Sequence, residues 1–272
     1  MRGTWLAAVQ EEADEGFHIP STEHLFEWPP IVEIHLFGLD VSINRVVLLL
    51  FLAVAIVVLL FGLSAARARM VPRGLQNVTE PIVDFIRNQI ALQVIGREGL
   101  PWVPFLTTLF MFILVGNLFE IIPGINFPIN SRMAFPALLA GVVWVVFNAV
   151  GIREQGFFGY FKNMLFPPGV PKPIYILVTP IEFVSTLLVR PLTLSVRLFA
   201  NMMAGHIILT IFFLGTAYMV SQLPGPVGFF SVASFGLAVI LLAFEMLVSL
   251  LQAYIFTILT AVYIAGAIHP EH

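Results

Sequence analysis

The sequence predicts an all-α integral membrane protein: five membrane helices, the last two long and steeply tilted as a hairpin, plus an amphipathic interfacial helix. Three observations predict it. Of 272 residues, 59% are hydrophobic and only 11% charged, less than half the roughly 25% charged of a soluble globule. Mean hydropathy is strongly positive. The apolar residues also lie in a few runs long enough to cross a hydrocarbon core of roughly 30 Å. A net charge of -3 argues against a nucleic-acid partner. Cysteine is absent, which excludes disulfide scaffolds, thiolate metal sites and cysteine nucleophiles.

Residues 1–44 read as an acidic, Pro-containing extracytoplasmic tail, with eight of the sixteen acids in the first forty positions. His18, His24 and His35 are scattered through it without metal-ligand spacing, so neither metal nor cofactor is expected. The apolar stretch Trp5 to Val9 is too short for a signal-peptide core, and acids follow it at once. The first membrane helix is placed at 45–66, because Val46 to Leu63 is eighteen residues without a charge. Arg67, Arg69 and Arg73 close it.

Residues 67–101 form an expected cytoplasmic segment holding the amphipathic helix. Leu75, Val78, Ile82, Phe85, Ile86 and Ile90 fall on one helical arc, opposite Asn77, Glu80, Asp84, Arg87 and Asn88. The alternative is a helix of soluble type packed on other protein. The second and third membrane helices occupy 102–152: Val103 to Ile122 carries Asn117 and Glu120 inside its apolar run, and Ala134 to Ile152 carries Asn148 near its end. The next segment, 153–173, is rich in Pro, Gly and Phe and reads as a cytoplasmic loop.

Residues 174–268 hold two apolar stretches, Ile174 to Leu223 and Val227 to Ile268, separated by the breaker Leu223-Pro224-Gly225-Pro226. About forty helical residues extend roughly 60 Å, twice the hydrocarbon thickness. The second stretch contains no Pro, so one long tilted helix is expected, lying against other protein. The first, which holds Pro180 and Pro191, is expected to do the same after a break. Residues 269–272 are a C-terminal tail. On this layout one side holds Arg67, Arg69, Arg73, Arg87, Arg97, Arg153, Lys162 and Lys172, and the other only Arg2, Arg45 and Arg132. The N-terminus is therefore expected outside and the C-terminus in the cytoplasm.

Glu182, Arg190, Arg197, His206 and Glu245 lie within the two long stretches, where each ionisable group costs about 3 kcal/mol or more. Such residues point to function. For Arg190 with Glu182 the structural alternative is an ion pair joining two helices. At about 100° per residue, Ala200, Asn201, Ala204 and Ile208 lie near Arg197, so the guanidinium stands on a stripe of small residues that lets another helix come close. His206, nine residues on, faces about 180° away and sits roughly 13 Å along the axis. On the last helix Glu245, Ser249, Gln252 and Tyr263 fall along one face, a polar stripe fit to line a water-accessible path. Glu245 and Glu182 are the candidate partners of His206 in a proton relay.

The run RPLTLSVRLFANMMAGH, Arg190 to His206, followed by LVSLLQAYIFTILTAVYIA, Leu247 to Ala265, closely resembles subunit a of the F-type rotary ATP synthase, its membrane stator. In weaker form the resemblance extends to the five-span layout and to GNLFEIIPG, Gly116 to Gly124. It implies that Arg197 is the essential stator arginine facing a rotor carboxylate, with Asn201 and Gln252 as its polar neighbours. His206 and Glu245 would line an aqueous half-channel as a coupled pair. Ser249, Tyr263, Glu182, Asn117 and Glu120 complete the candidate proton path. The implied partners are the rotor c-ring, peripheral stalk subunit b, the other ATP synthase subunits and the lipid bilayer. The chain is expected to be no enzyme by itself but the ion-translocating subunit of an ATP-synthesising complex.

Two rivals remain at this point. Intramembrane Arg, His and Glu also mark the path of a stand-alone ion-coupled transporter or channel, though no internal repeat is evident. An intramembrane hydrolase using His206 and Glu245 is disfavoured, because Gly-x-Ser-x-Gly, His-Glu-x-x-His and Cys are all missing. Protons are the expected coupled ion, and a bacterial plasma membrane is the expected location, since the acidic N-terminus is unlike an Arg-rich transit peptide.

Overall fold

Each long apolar run folds as a helix, the form that satisfies every backbone donor and acceptor within one segment where water is absent. A computed structural model describes residues 31–33, 35–36, 39–40, 42–66, 68–122, 124–166, 174–222, 225 and 228–269. The tail up to residue 30, Arg67, Lys172, most of the breaker at 223–226 and the last three residues lie outside the described residues.

Two short strands, β1 (His35–Leu36) and β2 (Leu39–Asp40), pair antiparallel before the first membrane helix. Helix α1 spans Arg45–Ala66, and Asn44 Oδ1 accepts the Val47 N–H at 3.0 Å, satisfying a first-turn donor. Then come α2 (Gln76–Phe85), a π-helical run Ile86–Ile95, and a 3-10 segment Arg97–Trp102 that leads into α3 (Val103–Leu118). A connection with a 3-10 turn at Ile129–Ser131 reaches α4 (Ala134–Gln155), followed by α5 (Phe157–Leu165). Helix α6 (Tyr175–Val184), a π turn Ser185–Val189 and α7 (Arg190–Gln222) run on as one helical body, and α8 (Phe230–Ile268) closes the chain.

Among the described residues, five helical segments are long and apolar enough to cross a membrane. The fourth, Tyr175–Gln222, has 48 residues and the fifth 39, about 72 and 58 Å of helix against a hydrocarbon core of roughly 30 Å. Among the described elements, α7 and α8 pack most extensively on each other. The core joins the π-helical run to α3, α4, α7 and α8 through Ile86, Ile90, Leu106, Phe147, Leu198, Met202 and Ile264, all buried. Phe51 and Leu59 on α1, and Ile240, Phe244 and Leu247 on α8, are exposed, the outward apolar surface a helix presents to lipid.

Three expectations need correction. No break follows Pro180 or Pro191. Pro191 lacks the N–H that would bond one turn back, and its ring crowds that carbonyl. The π turn just before it carries the chain past the obstacle, with the Arg190 N–H reaching Ser185 O. Second, the segment read as a loop at 153–173 contains α5. Gly156, at φ +73°, ends α4 and starts the new helix, and the Tyr160 ring seats on Gly151, where a Cβ would collide with it. Third, the amphipathic arc divides. Leu75 and Val78 are exposed, whereas Ile86 and Ile90 are fully buried, because the π-helical run packs its apolar face onto α8 and α3.

Candidate functional site

Contacts between α7 and α8 fix an antiparallel register. The Thr216 hydroxyl donates to Ser234 Oγ at 2.9 Å, and further along Gly205 lies against the Glu245 carboxylate, which occupies the place a Cβ would take. Further still, the Arg190 guanidinium stands 5.5 Å over the Tyr263 ring. Polar groups on the two helices thereby meet in two clusters.

The first cluster lies in the half of the molecule that holds Arg45, whose guanidinium donates to Gly124 O and Ile125 O at 2.8 Å each. His206 on α7 places Nδ1 3.4 Å from Glu120 Oε1, just beyond the end of α3. The Phe127 ring packs edge-on against the imidazole. Glu120 and Glu245 are both buried, Glu120 beside His206 and Glu245 against the neighbouring Gly205. One turn from Glu120, Asn117 accepts a hydrogen bond from Asn130 Nδ2 at 2.8 Å and reaches the Ser249 carbonyl at 3.5 Å. Ser249 and Gln252 are buried on the same face of α8 as Glu245. Both oxygens of Glu120, Oε2 of Glu245, Oγ of Ser249 and Oδ1 of Asn130 are buried without a hydrogen-bond partner among the described residues. Buried polar atoms normally have partners. So many acceptors together make a lining that water can occupy and that protonated groups can bridge.

The second cluster is toward the opposite end, where Gln155 Nε2 donates to Ala267 O. Besides lying over Tyr263, Arg190 is close enough to Tyr160 for its charge to act on the phenol. Burial pushes the Tyr160 pKa up, and Arg190 works in the opposite direction. The Tyr160 hydroxyl donates to Asn148 Oδ1 at 3.0 Å. Glu182 is half-buried on α6. No ion pair joins it to Arg190 among the described residues, so the helix-joining ion pair weighed for these two is replaced by a cation–π contact.

Arg197 lies between the clusters, seven residues after Arg190 and nine before His206. It is exposed on α7 with Ala200, Ala204 and Ile208, while Asn201, one turn on, is half-buried. Among the described residues no hydrogen bond or ion pair reaches its guanidinium. A guanidinium inside a membrane is costly without a counter-charge, and among the described residues this face supplies none.

Residues 47–265 match the family model described as ATP synthase A chain. The chain belongs to this family. Subunit a of the ATP synthase from Frankia alni is 46% identical over 262 residues, 96% of this chain and 89% of the relative. That from Rhodococcus erythropolis is 42% identical over 272 residues, covering 100% and 97%, and that from Streptomyces lividans is 38% identical, covering 94% and 90%.

Three of the pairings expected from the sequence differ in this family member. His206 and Glu245 are neighbours, since Glu245 rests on the residue preceding His206, yet the carboxylate at ion-pair distance from the imidazole is Glu120. Glu182 sits on α6, and among the described residues no hydrogen bond or ion pair joins it to His206. Gln252 is buried with Asn117 and Ser249, and no hydrogen bond connects it to Arg197 or Asn201 among the described residues. Asn130, Phe127, Gly205 and Tyr160 were not foreseen as site residues. A signal for Asn130 existed in Gly116, whose missing side chain admits the amide; a Cβ there would stand 3.3 Å from Asn130 Nδ2.

Proposed function

We propose that this chain is the membrane stator subunit of an F-type ATP synthase, carrying protons to and from a rotor ring through two aqueous half-channels. One observation carries the reading: an exposed arginine without a counter-charge among the described residues, set between two polar clusters at opposite halves of a helical hairpin. The first cluster, with His206, Glu120, Glu245, Asn117 and Ser249, forms the outer half-channel. Glu182, Tyr263 and the groups around Arg190 mark the inner one. Arg197 separates them. Its guanidinium keeps its proton near neutral pH, so it blocks a direct leak. The carboxylate it lacks arrives on the rotor ring, and an opposite charge at about 4–6 Å lowers a carboxylate pKa by 1–3 units. A protonated rotor acid therefore releases its proton beside Arg197 and reloads once it has passed. Each charge crossing a 100 mV potential delivers about 2.3 kcal/mol, the work available for rotation.

The rotor c-ring and the peripheral stalk subunit b are the partners this role requires, with ATP made elsewhere in the complex. Bacterial relatives and the excess of Lys and Arg on one side support a plasma-membrane location, with the N-terminus outside and the C-terminus in the cytoplasm. Purification of the tagged chain in mild detergent tests the reading. A ring of small carboxylate-bearing subunits is expected to copurify, and recovery of the chain alone in an ion-conducting form would assign it to the stand-alone transporters.

A further inference from the structure

A cavity of about 550 Å³ opens at the end of the molecule where α4, the 3-10 segment and α8 converge, within the range of ligand sites. Its lining divides into a charged part and an apolar part. Glu98, Arg153 and Glu154 supply charges of both signs at the rim, and all three are exposed. Beside them Trp102, Val146, Val150 and Ile268 form an apolar wall. Val146 precedes Arg153 by seven residues on α4, so the wall descends roughly 10 Å from the charged rim. Trp102 belongs to the residue type that favours the membrane–water boundary. Glu98 Oε2 contacts His269 Nε2 at 3.1 Å, which engages one oxygen of Glu98, and Glu154 lines the same opening.

We propose that this cavity binds a zwitterionic aminophospholipid, one with a primary ammonium and a phosphodiester. The ammonium lies between Glu98 and Glu154, the phosphodiester on Arg153, and the start of an acyl chain against Trp102, Val146 and Val150. Charge complementarity selects this headgroup. A glycerol headgroup would match Arg153 but leave two carboxylates facing a neutral alcohol, and a choline headgroup has no N–H to donate to them. A soluble amine or phosphate would leave the apolar wall uncovered. The cavity lies at the same end of the molecule as the Arg190 cluster but shares none of its side chains, and the proposal does not depend on the stator reading.

The test uses the tagged chain with whatever assembles on it, washed in mild detergent and offered equal amounts of dioleoyl phosphatidylethanolamine, phosphatidylcholine and phosphatidylglycerol. Native mass spectrometry reads the lipid retained. One phosphatidylethanolamine per chain is expected, preferred about tenfold over the other two, on the scale of charge-assisted hydrogen bonds. The double substitution Glu98→Gln with Glu154→Gln is expected to bring the ethanolamine-to-choline ratio near one. Arg153→Gln is expected to weaken retention of both lipids alike. These side chains are exposed, and an unchanged helical circular dichroism spectrum shows that each variant is folded. Equal retention of the three lipids, preference for phosphatidylglycerol, or an unchanged ratio in the double variant would overturn the proposal. So would displacement of the lipid by soluble phosphoethanolamine at equal concentration, which would remove any role for the wall.

Discussion

The carboxylate of Glu245 rests on the bare Cα of Gly205, so helix α7 holds the acid of α8 in place by the side chain it lacks. An added methyl must displace the acid. Gly205→Ala is expected to lower proton flux through the membrane sector by about tenfold or more, the scale of misplacing a reacting group by an ångström. Glu245→Asp, one methylene shorter, is expected to restore part of the flux in the Gly205→Ala background. Gly266→Ala, where an added Cβ meets nothing within 4 Å, is the control. Proton uptake by vesicles measures all three, and equal flux in Gly205→Ala and Gly266→Ala would dismiss the contact as incidental.

His206 has two acidic neighbours, and the structure ranks them. The effects of His206→Ala and Glu120→Gln on flux are expected to be strongly non-additive, because removing either partner already breaks the 3.4 Å pair. Glu245 shares the cluster without that contact, so the His206–Glu245 coupling is expected to be the smaller. The exchanged pair, His206→Glu with Glu245→His, is expected to recover more activity than the better single exchange. Two double-mutant cycles on the assembled complex decide; a larger coupling to Glu245 would reverse the order.

Arg197→Ala removes both a permanent charge and a barrier to protons. Coupled ATP synthesis is expected to vanish while passive proton leak stays or rises. Arg197→Lys keeps a charge but offers an ammonium whose pKa falls on desolvation, so it too is expected to couple poorly. Copurification of the rotor ring separates these outcomes from failed assembly. ATP synthesis near the parent rate in an assembled Arg197→Ala complex would remove the role assigned to this residue.

The charge asymmetry fixes an expectation for topology. A single Cys introduced near residue 33 is expected to react with a membrane-impermeant maleimide from the outside of intact cells, and one at His269 only after the inner face is opened. Labelling in the reverse order would invert the half-channels as well.

The long helices were legible in the sequence because length and the absence of charge suffice for them: Val46 to Leu63 and Val227 to Ile268 match α1 and α8 closely. The exposed stripe around Arg197 was legible because helical phase alone places Ala200, Ala204 and Ile208 beside it. The pairing of His206 with Glu120 was not, since 86 positions separate them and only the packing of α7 beside the end of α3 brings them together. Neither were the two π-helical runs. Apolar periodicity was read with a pitch of 3.6, and a wider turn shifts the buried face without changing composition, as at Ile86 and Ile90.

The π turn at Ser185–Val189 also bears on how chain length can vary. A wide turn is an α-helix holding one surplus residue, so deleting Leu188 is expected to tighten it to an ordinary turn and leave everything after Arg190 in its former orientation. Deletion of Met203 offers no such slack. It would swing the following residues by about 100°, turning His206 off Glu120 and Gly205 off Glu245. Variation in length within this family is therefore expected to gather at Ser185–Val189, while the segment from Arg197 to His206 keeps a fixed number of residues.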